Sequence, residues 1–214
     1  MIGSPASLPG AGDPVMMDLT PVTLDGRHVR LEPLSPAHAA SLASVALDAE
    51  LWRWTPTQIH SAGDLDAYIE TARAAQAAGT ALPFAIVERA TGRAIGSTRF
   101  GNIDAGNCRV EVGWSWLGRA FQRKAFNTEA KLLLLTHAFE RMGCIRVELR
   151  ADALNTKSRN AIVRLGAREE GILRHHMILP DGRLIDWVYY SILRDEWPSV
   201  RAGLEGKLAS HARG

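Results

Sequence analysis

The sequence predicts a mixed α/β fold, in which a mostly antiparallel central sheet carries helices on both of its faces. Two observations predict it. Apolar residues alternate with period two in some segments and recur at helical spacing in others, in the order β-α-α-β-β-β-α-β-α-β-β. Turn sequences of the hairpin kind join several neighbouring strands, and the strands of a hairpin pair antiparallel.

Composition narrows the class of protein. The chain has 214 residues, of which 46% are hydrophobic and 22% charged, as is typical of a soluble globular protein. A net charge of +2 gives no argument for nucleic-acid binding, and no apolar run approaches the ~20 residues of a membrane span. The two cysteines, Cys108 and Cys144, indicate no disulfide framework. We therefore expect a cytoplasmic protein.

The chain is predicted to hold one domain, over residues 21–200. Residues 1–20 are rich in Gly, Pro, Ser and Ala without periodicity, which predicts a disordered extension. They lack the charged start and long apolar core of a signal peptide. Residues 201–214 are predicted to be a helix end and a tail.

The first half of this domain is predicted to hold four strands and two helices. The strands are residues 22–24, 28–34, 83–89 and 94–100, with turns at Asp25-Gly26 and at residues 90–93. The helices are residues 35–47, which Ser35 and Pro36 start, and residues 64–78, which Gly79 ends.

The stretch of residues 110–141 changes from strand to loop to helix. Its strand, residues 110–116, alternates with period two, and its helix repeats apolar residues at helical spacing. Between them lies a basic loop, residues 118–126, which Asn127 or Thr128 is predicted to close as the N-cap of the helix. A loop of this kind directs backbone N–H groups at one point, which predicts a phosphate site. A basic loop that binds nothing is the alternative.

The second half is predicted to continue with a strand, a helix and a hairpin. These elements are residues 145–152, a helix within 153–166, and strands 167–179 and 184–193 joined by the turn Pro180-Asp181-Gly182. A weakly amphipathic helix follows them.

Residues 122–131, Q-R-K-A-F-N-T-E-A-K, resemble the pyrophosphate loop of the GNAT acetyltransferases, usually Q/R-x-x-G-x-G/A. The flanking G-W-S-W-L and L-L-L-L-T-H-A-F-E resemble the branch that includes the RimJ and RimL ribosomal-protein acetyltransferases. The resemblance covers roughly residues 22–200 and implies the GNAT fold, with acetyl-CoA as cosubstrate and no metal. Ala125 stands where glycine is usual, and Asn127 where glycine or alanine is. Because alanine tolerates positive φ worse than glycine does, we expect Ala125 to have a negative φ.

The resemblance also implies which residues contact the cosubstrate. The loop wraps the pyrophosphate in that family, and neighbouring residues contact the rest of the molecule. The implied cofactor-binding residues are Trp114, Trp116, Leu117, Gln122, Arg123, Lys124, Ala125, Phe126, Asn127, Thr128, Asn155 and Ser158.

Acetyl transfer to an amine needs a base for the amine, donors for the oxyanion and a proton for the leaving thiolate. Glu111 is the predicted base, because it lies mid-strand among hydrophobic neighbours of the kind that raise a carboxyl pKa. A hydrogen-bonded glutamate with a structural role is the alternative. The resemblance implies that backbone N–H groups near residues 114–116, in a bulged strand, are the oxyanion donors.

Asn155 and Ser158 form an N-x-x-S like that of the RimJ/RimL branch. That likeness implies an Asn155 contact with the pantetheine arm and a Ser158 hydroxyl near the thiol, and both residues are predicted to be catalytic. A plain helix N-cap is the alternative for Ser158. Many GNAT enzymes have an acidic tyrosine where this chain has Ile162, which favours Ser158 or a water as the acid.

Three side chains are predicted to contact the acceptor, namely Trp52, Trp54 and His175. The tryptophans lie in a loop that walls the acceptor site in the family, and local core packing is the alternative. His175 and His176 are adjacent in a predicted strand, so one faces each side; one of them is an alternative base, and exposure without a role is the other interpretation. No cluster has zinc-ligand spacing, and G-x-G-x-x-G is absent.

The leading hypothesis is therefore an N-acetyltransferase that moves an acetyl group from acetyl-CoA to a primary amine by direct attack in a ternary complex. The acceptor is a protein N-terminus or a small-molecule amine, and the sequence leaves both open, as it does a homodimer. No membrane and no direct nucleic-acid partner are expected. The rival hypothesis is a non-catalytic acyl-CoA-binding module or sensor with the same fold, which Ala125 and the missing tyrosine favour.

Overall fold

The computed structural model of the chain describes residues 17–211. Its strands are β1 (Leu24–Asp25), β2 (Val29–Pro33), β3 (Leu82–Glu88), β4 (Ala94–Asp104), β5 (Arg109–Leu117), β6 (Arg146–Asp152), β7 (Arg168–Ile178) and β8 (Leu184–Leu193). Its helices are α1 (Ala39–Ala46), α2 (Ala62–Ala77), α3 (Ala125–Glu140), α4 (Thr156–Leu165) and α5 (Trp197–His211).

The strands form one sheet in the order β1-β2-β3-β4-β5-β6-β8-β7. Every neighbouring pair is antiparallel except β5 and β6, which are parallel. This pair is also short, because residues 109–111 pair with residues 146–148 and the described strands pair no further. The two strands separate beyond Glu111 and leave a cleft in the middle of the sheet. The predicted mixed, mostly antiparallel sheet is confirmed.

Helices cover both faces of this sheet, as predicted. On one face, α3, α4 and α5 pack on a core that includes Phe100 and Leu134. On the other face, α1 and α2 pack on a smaller core that includes Leu42 and Trp52. The pattern within α3 explains its position, because apolar residues at helical spacing are buried against the sheet, among them Ala130, Leu134, Leu135 and Ala138.

A buried carboxylate ties the first hairpin to α3. Glu129 is 6% exposed, and its two oxygens accept hydrogen bonds from the backbone N–H groups of Arg27 (2.8 Å), His28 (2.6 Å) and Val29 (2.7 Å). A carboxylate that accepts three backbone hydrogen bonds is a strong anchor. The first turns of α3 are therefore held in place by the turn between β1 and β2.

The predicted N-terminal extension ends too late. Residues 1–16 and 212–214 lie outside the described residues, but residues 17–20 are described, and Met17 is 7% exposed and packs in the larger core. Its apolar side chain explains this position, whereas the prediction rested on the composition of the segment as a whole. None of the helices within residues 17–211 has both the length and the apolar character that a bilayer span requires.

Candidate active site

A β-bulge shapes the wall of the cleft between β5 and β6. The register between β4 and β5 shifts between Ser97 and Arg99, and Trp114 has a φ of 49°. The indole of Trp114 lies close over Gly101, where an added Cβ would come within 2.3 Å of the ring. Glycine at position 101 is thus required for the bulged strand to place this indole on the face covered by α1 and α2.

The basic loop leads directly into α3, which begins at Ala125 with Lys124 as its N-cap. The prediction that Asn127 or Thr128 caps this helix is wrong, because both lie inside its first turn. Lys124 has an extended backbone (φ −115°, ψ −178°), and no side chain caps the helix. The first backbone N–H groups of α3 therefore have no partner among the described side chains and point out of the helix towards the loop.

The expectation for Ala125 is confirmed, since its φ is not among the positive ones. The positive backbone angle of the loop belongs to Arg123, with a φ of 59°. The loop thus makes its turn two residues earlier than the glycine of the family pattern would, and Ala125 is an ordinary first residue of a helix.

Some polar side chains of the loop make hydrogen bonds or ion pairs within the protein, and others do not. The amide of Gln122 donates to the backbone oxygen of Leu117 (2.8 Å) and accepts from the ammonium of Lys157 (2.5 Å), so it joins the end of β5 to α4. The guanidinium of Arg119 is paired with the carboxylate of Asp48 (2.9 Å). Two exposed cations, Arg123 and Lys124, remain without an ion pair to any residue from 17 to 211.

Glu111 occupies the last paired position before β5 and β6 separate. Its side chain is buried, with one oxygen 3.0 Å from Nε of Arg150 and the other accepting from Nδ2 of Asn102 (2.7 Å). Burial raises the pKa of Glu111 above its ordinary value, although Arg150 and the hydrogen bond from Asn102 act in the opposite direction. This position, at the closed end of the cleft with a raised pKa, suits a general base.

The start of α4 borders the same cleft. Asn155, rather than Ser158, is the N-cap of this helix, and its Oδ1 accepts from the backbone N–H of Ser158 (3.0 Å). The Ser158 hydroxyl makes no hydrogen bond within the described part of the chain, so it is available to another group. Ile162, at the position of the missing tyrosine, is 6% exposed and packs in the core.

The two predicted acceptor-binding tryptophans lie in different environments. Trp52 is 2% exposed, its Nε1 donates to the backbone oxygen of Ala46 (2.8 Å), and its ring packs on that of Trp116. Trp52 is therefore a core residue, as the alternative interpretation had it. Trp54 is half-buried between the guanidinium groups of Arg53 (5.0 Å) and Arg183 (5.1 Å).

The adjacent histidines lie on β7, the edge strand beyond β8. His175 is exposed, has a φ of 49°, and donates its backbone N–H to Asp186 (2.7 Å). The register shift at this point breaks the alternation that the sequence predicted for the pair. His176 is also exposed, and its ring packs edge-on against that of Tyr189. Because β7 is three strands from β5, these backbones are on the order of 14 Å apart.

Sequence reasoning missed a row of alternating aromatic and arginine side chains on this face. The row is formed by Tyr68, Arg99, Trp114, Arg150 and Trp187, with each guanidinium carbon between 4.8 and 5.9 Å from a ring centre. Its members come from five different elements, so no local sequence motif predicts the row. Four of them lie on strands and Tyr68 lies on α2, so the sequence gives no shared pattern for the row. Among the described residues no cluster of three potential metal ligands occurs.

Comparisons with known proteins agree with this geometry. A family model described as "Acetyltransferase (GNAT) domain" matches residues 28–168. The protein named uncharacterized N-acetyltransferase p20 from Bacillus licheniformis is 34% identical over 119 residues, which are 56% of this chain and 66% of that protein. The alignment thus spans slightly less than two thirds of that relative's length.

Solved structures match over more of the chain. A GCN5-related N-acetyltransferase from Brucella melitensis has a TM-score of 0.82 and 29% identity, over 87% of this chain and 85% of that one. RimJ from Mycobacterium smegmatis, solved in complex with CoA-disulfide, has a TM-score of 0.76 and 24% identity, over 88% of this chain and 96% of that one. The likeness to RimJ shows a shared fold.

Proposed function

This chain belongs to the GNAT acetyltransferase family, and from that premise we propose that it transfers the acetyl group of acetyl-CoA to a primary amine. One observation carries the proposal. The cleft between β5 and β6 opens at the carboxylate of Glu111, and the uncapped N-terminus of α3 follows the end of β5 after a short loop. A long anionic ligand with a reactive end suits such a site, because its pyrophosphate reaches the helix and its acyl group reaches the carboxylate.

The residues of this chain would divide the work as follows. When bound, acetyl-CoA supplies the activated acetyl group. The backbone N–H groups of Ala125 and Phe126, with the charges of Arg123 and Lys124, hold the pyrophosphate. Glu111, directly or through a water, takes the proton of the acceptor amine.

Two further groups act on the charges that develop during transfer. Backbone N–H groups at the bulge, around residues 114–116, belong to the part of β5 that has no pairing with β6, and we assign to them a hydrogen bond with the thioester carbonyl oxygen. The Ser158 hydroxyl, which has no partner among residues 17–211, is suited to protonate the leaving sulfur. We assign to the Asn155 side chain, in the same turn, a contact with the pantetheine arm.

Turnover distinguishes this proposal from a non-catalytic acyl-CoA-binding protein. We expect mass-spectrometric detection of acetylated product when the chain is incubated with acetyl-CoA and a panel of small amines, amino acids and short peptides. Coenzyme binding without acetylation of any panel member would support the non-catalytic alternative. Ala125 no longer favours that alternative, because its backbone is unstrained.

The double variant Arg123→Glu/Lys124→Glu is expected to weaken CoA binding about tenfold or more, because both changes place negative charge beside the pyrophosphate. Calorimetry at moderate salt measures the affinity. The matched control is Arg93→Glu/Arg164→Glu, which makes the same charge change at two exposed positions away from the loop. Equal affinities in the two double variants would mean that the loop does not hold the pyrophosphate.

Ala125→Gly is expected to weaken CoA binding by a factor of about 2 to 5, because glycine loosens the first turn of α3 by roughly 0.5–1 kcal/mol. The same calorimetric titration measures it, with Ala202→Gly, an exposed alanine near the start of α5, as a control for general helix loosening. Tighter binding would show that the bound loop needs a positive φ at position 125.

A further inference from the structure

Arg99 lies near the candidate base, because it pairs with Gly113 in the sheet and an added Cβ at Gly113 would come within 2.9 Å of the Glu111 carboxylate. Arg99 is 6% exposed, and its guanidinium carbon lies 5.2 Å from the ring centre of Tyr68 and 5.1 Å from that of Trp114. Its Nε is buried without a hydrogen-bond partner, and it joins no ion pair within residues 17–211. Burying a guanidinium that contacts only two aromatic rings costs folding free energy. This cost indicates that a binding partner of Arg99 is missing from the described structure.

Arg99 lines a cavity of about 260 Å³. The end of α2 forms one side of it, and Asn102 and Trp114 form the other. Asn102 also donates to the carboxylate of Glu111, so the cavity is one side chain away from the candidate base. Its volume is below the ~300–1,000 Å³ of pockets for drug-sized ligands, and it suits a group of about one amino-acid residue.

The charges of this region favour an anion. Arg99 is the one charged side chain among the described residues that line the cavity, and the nearby carboxylate of Glu111 is already paired with Arg150. A guanidinium presents two parallel donors that match a carboxylate, and an ammonium group would be repelled. A cation here also favours the neutral, nucleophilic form of an amine bound nearby.

We propose that Arg99 binds a carboxylate of the acceptor, so that the acceptor carries an amine and a carboxylate within about the length of one residue. This rests on the proposed acetyl transfer and narrows its substrate class. Two sources supply that chemistry, namely free amino acids with their α-carboxylate and peptides that begin with an acidic residue. Under this proposal, acceptors without an anionic group are poorer substrates than those with a carboxylate.

Matched acceptors test it. Alanine and alaninamide differ only in the α-carboxylate, and peptides that begin with Asp or Asn differ only in the side-chain carboxylate. We expect the unmodified chain to prefer the carboxylate member of one pair, which identifies the source. In Arg99→Gln, kcat/KM for that member falls about 30-fold, whereas kcat/KM for the neutral member changes less than about threefold. Equal losses for both members, or no preference in the unmodified chain, would overturn the proposal.

Two variants separate recognition from structure. Arg99→Lys keeps the charge but loses the parallel donors, and we expect an intermediate loss. Arg93 is an exposed arginine that precedes β4, and we expect Arg93→Gln to leave kcat/KM unchanged for both acceptors. Thermal unfolding of each variant shows whether it is folded.

A binding measurement separates this proposal from the proposed function. Tryptophan fluorescence reports binding of N-acetylalanine and of N-acetylalaninamide in the presence of CoA, because the Trp114 indole contacts Arg99. We expect saturable binding of the carboxylate compound to the unmodified chain and to Arg93→Gln, and its loss in Arg99→Gln. If the chain acetylates none of the acceptors but shows this binding pattern, the result contradicts the proposed acetyl transfer and leaves the role of Arg99 intact. Binding that is unaffected by Arg99→Gln contradicts the role of Arg99, whatever the turnover.

Discussion

Replacement of Glu111 by glutamine lowers the rate of acetylation by about 100-fold or more and leaves CoA affinity nearly unchanged, if this carboxylate is the general base. Glutamine keeps the shape of the side chain and an oxygen for Arg150, but it does not accept the amine proton at neutral pH. The carboxylate lies at the closed end of the cleft, whereas α3 begins beyond the other end of β5, so we expect binding of the coenzyme not to depend on its charge. Initial rates with a panel acceptor, and calorimetry with CoA, measure the two effects.

The pH dependence of the rate provides a second readout. A base acts when it is ionised, so the rate rises with pH as Glu111 loses its proton, and burial moves this rise above the ordinary carboxyl pKa. In Glu111→Gln the rise is absent. In Asn102→Ala the ionised form loses the hydrogen bond to its second oxygen, so the pKa of Glu111 increases and the rise moves to higher pH.

The structural alternative for Glu111 makes a different prediction. Glu148 pairs with Glu111 in the sheet and is bound to Arg109 and Arg146, so Glu148→Gln is a matched change of a partly buried, ion-paired carboxylate. We expect Glu148→Gln to keep the rate. An unchanged rate in Glu111→Gln would remove it as the base, and an equal loss of rate and stability in both variants would make its role structural.

Most of the fold could be predicted, because local patterns of apolar residues indicate strands and helices. The boundaries that failed depend on contacts that are distant in sequence or on backbone angles. Asn127 and Thr128 have good capping side chains, but the turn at Arg123 starts α3 before them. Met17 belongs to a segment with the composition of a disordered tail, yet its own side chain is apolar enough to join the core.

The candidate site divides in the same way. The residues of the strand-loop-helix stretch lie next to each other in sequence, so a motif could locate them. Arg99, Arg150 and Trp187 lie on three strands, and their contacts exist only because the register of the sheet aligns them. Trp52 shows the converse, since a tryptophan in a loop carries no sign of whether its ring faces the core or a ligand.

Lys131 is another residue that the sequence did not single out. It lies on α3 and is 6% exposed, and its ammonium contacts the hydroxyl groups of Ser115 (2.5 Å) and Thr98 (3.4 Å) but no carboxylate of the described chain. Burial lowers the pKa of Lys131 from its ordinary 10.5 to about 7. A lowering of this size means that the protonated Lys131 side chain reduces the free energy of unfolding by roughly 5 kcal/mol.

The sign of the resulting pH dependence follows from proton binding. Between about pH 7 and 10.5 the unfolded chain holds the Lys131 proton and the folded chain does not, so the free energy of unfolding increases with pH across this window. Below about pH 7 both states are protonated, and the full cost is present. Above about pH 10.5 both are neutral, and the cost is gone.

Lys131→Met is therefore expected to raise the free energy of unfolding by several kcal/mol at pH 6, and by progressively less as the pH approaches 10. Methionine has nearly the length of lysine without its charge, so it fills the same space. The Ser115 and Thr98 hydroxyl groups stay satisfied, because they also bind each other (2.7 Å). Urea unfolding at a series of pH values measures the difference, which isolates Lys131 from every other titrating group.

Lys157→Met is the matched control for this change, because Lys157 is exposed and its replacement removes the same charge without relieving burial. We expect the stability of Lys157→Met to stay within about 0.5 kcal/mol of the unmodified chain at every pH. A Lys131→Met variant that is less stable at pH 6, or whose advantage does not shrink towards pH 10, would mean that the buried ammonium is stabilised by its two hydroxyl contacts more than it is penalised by burial.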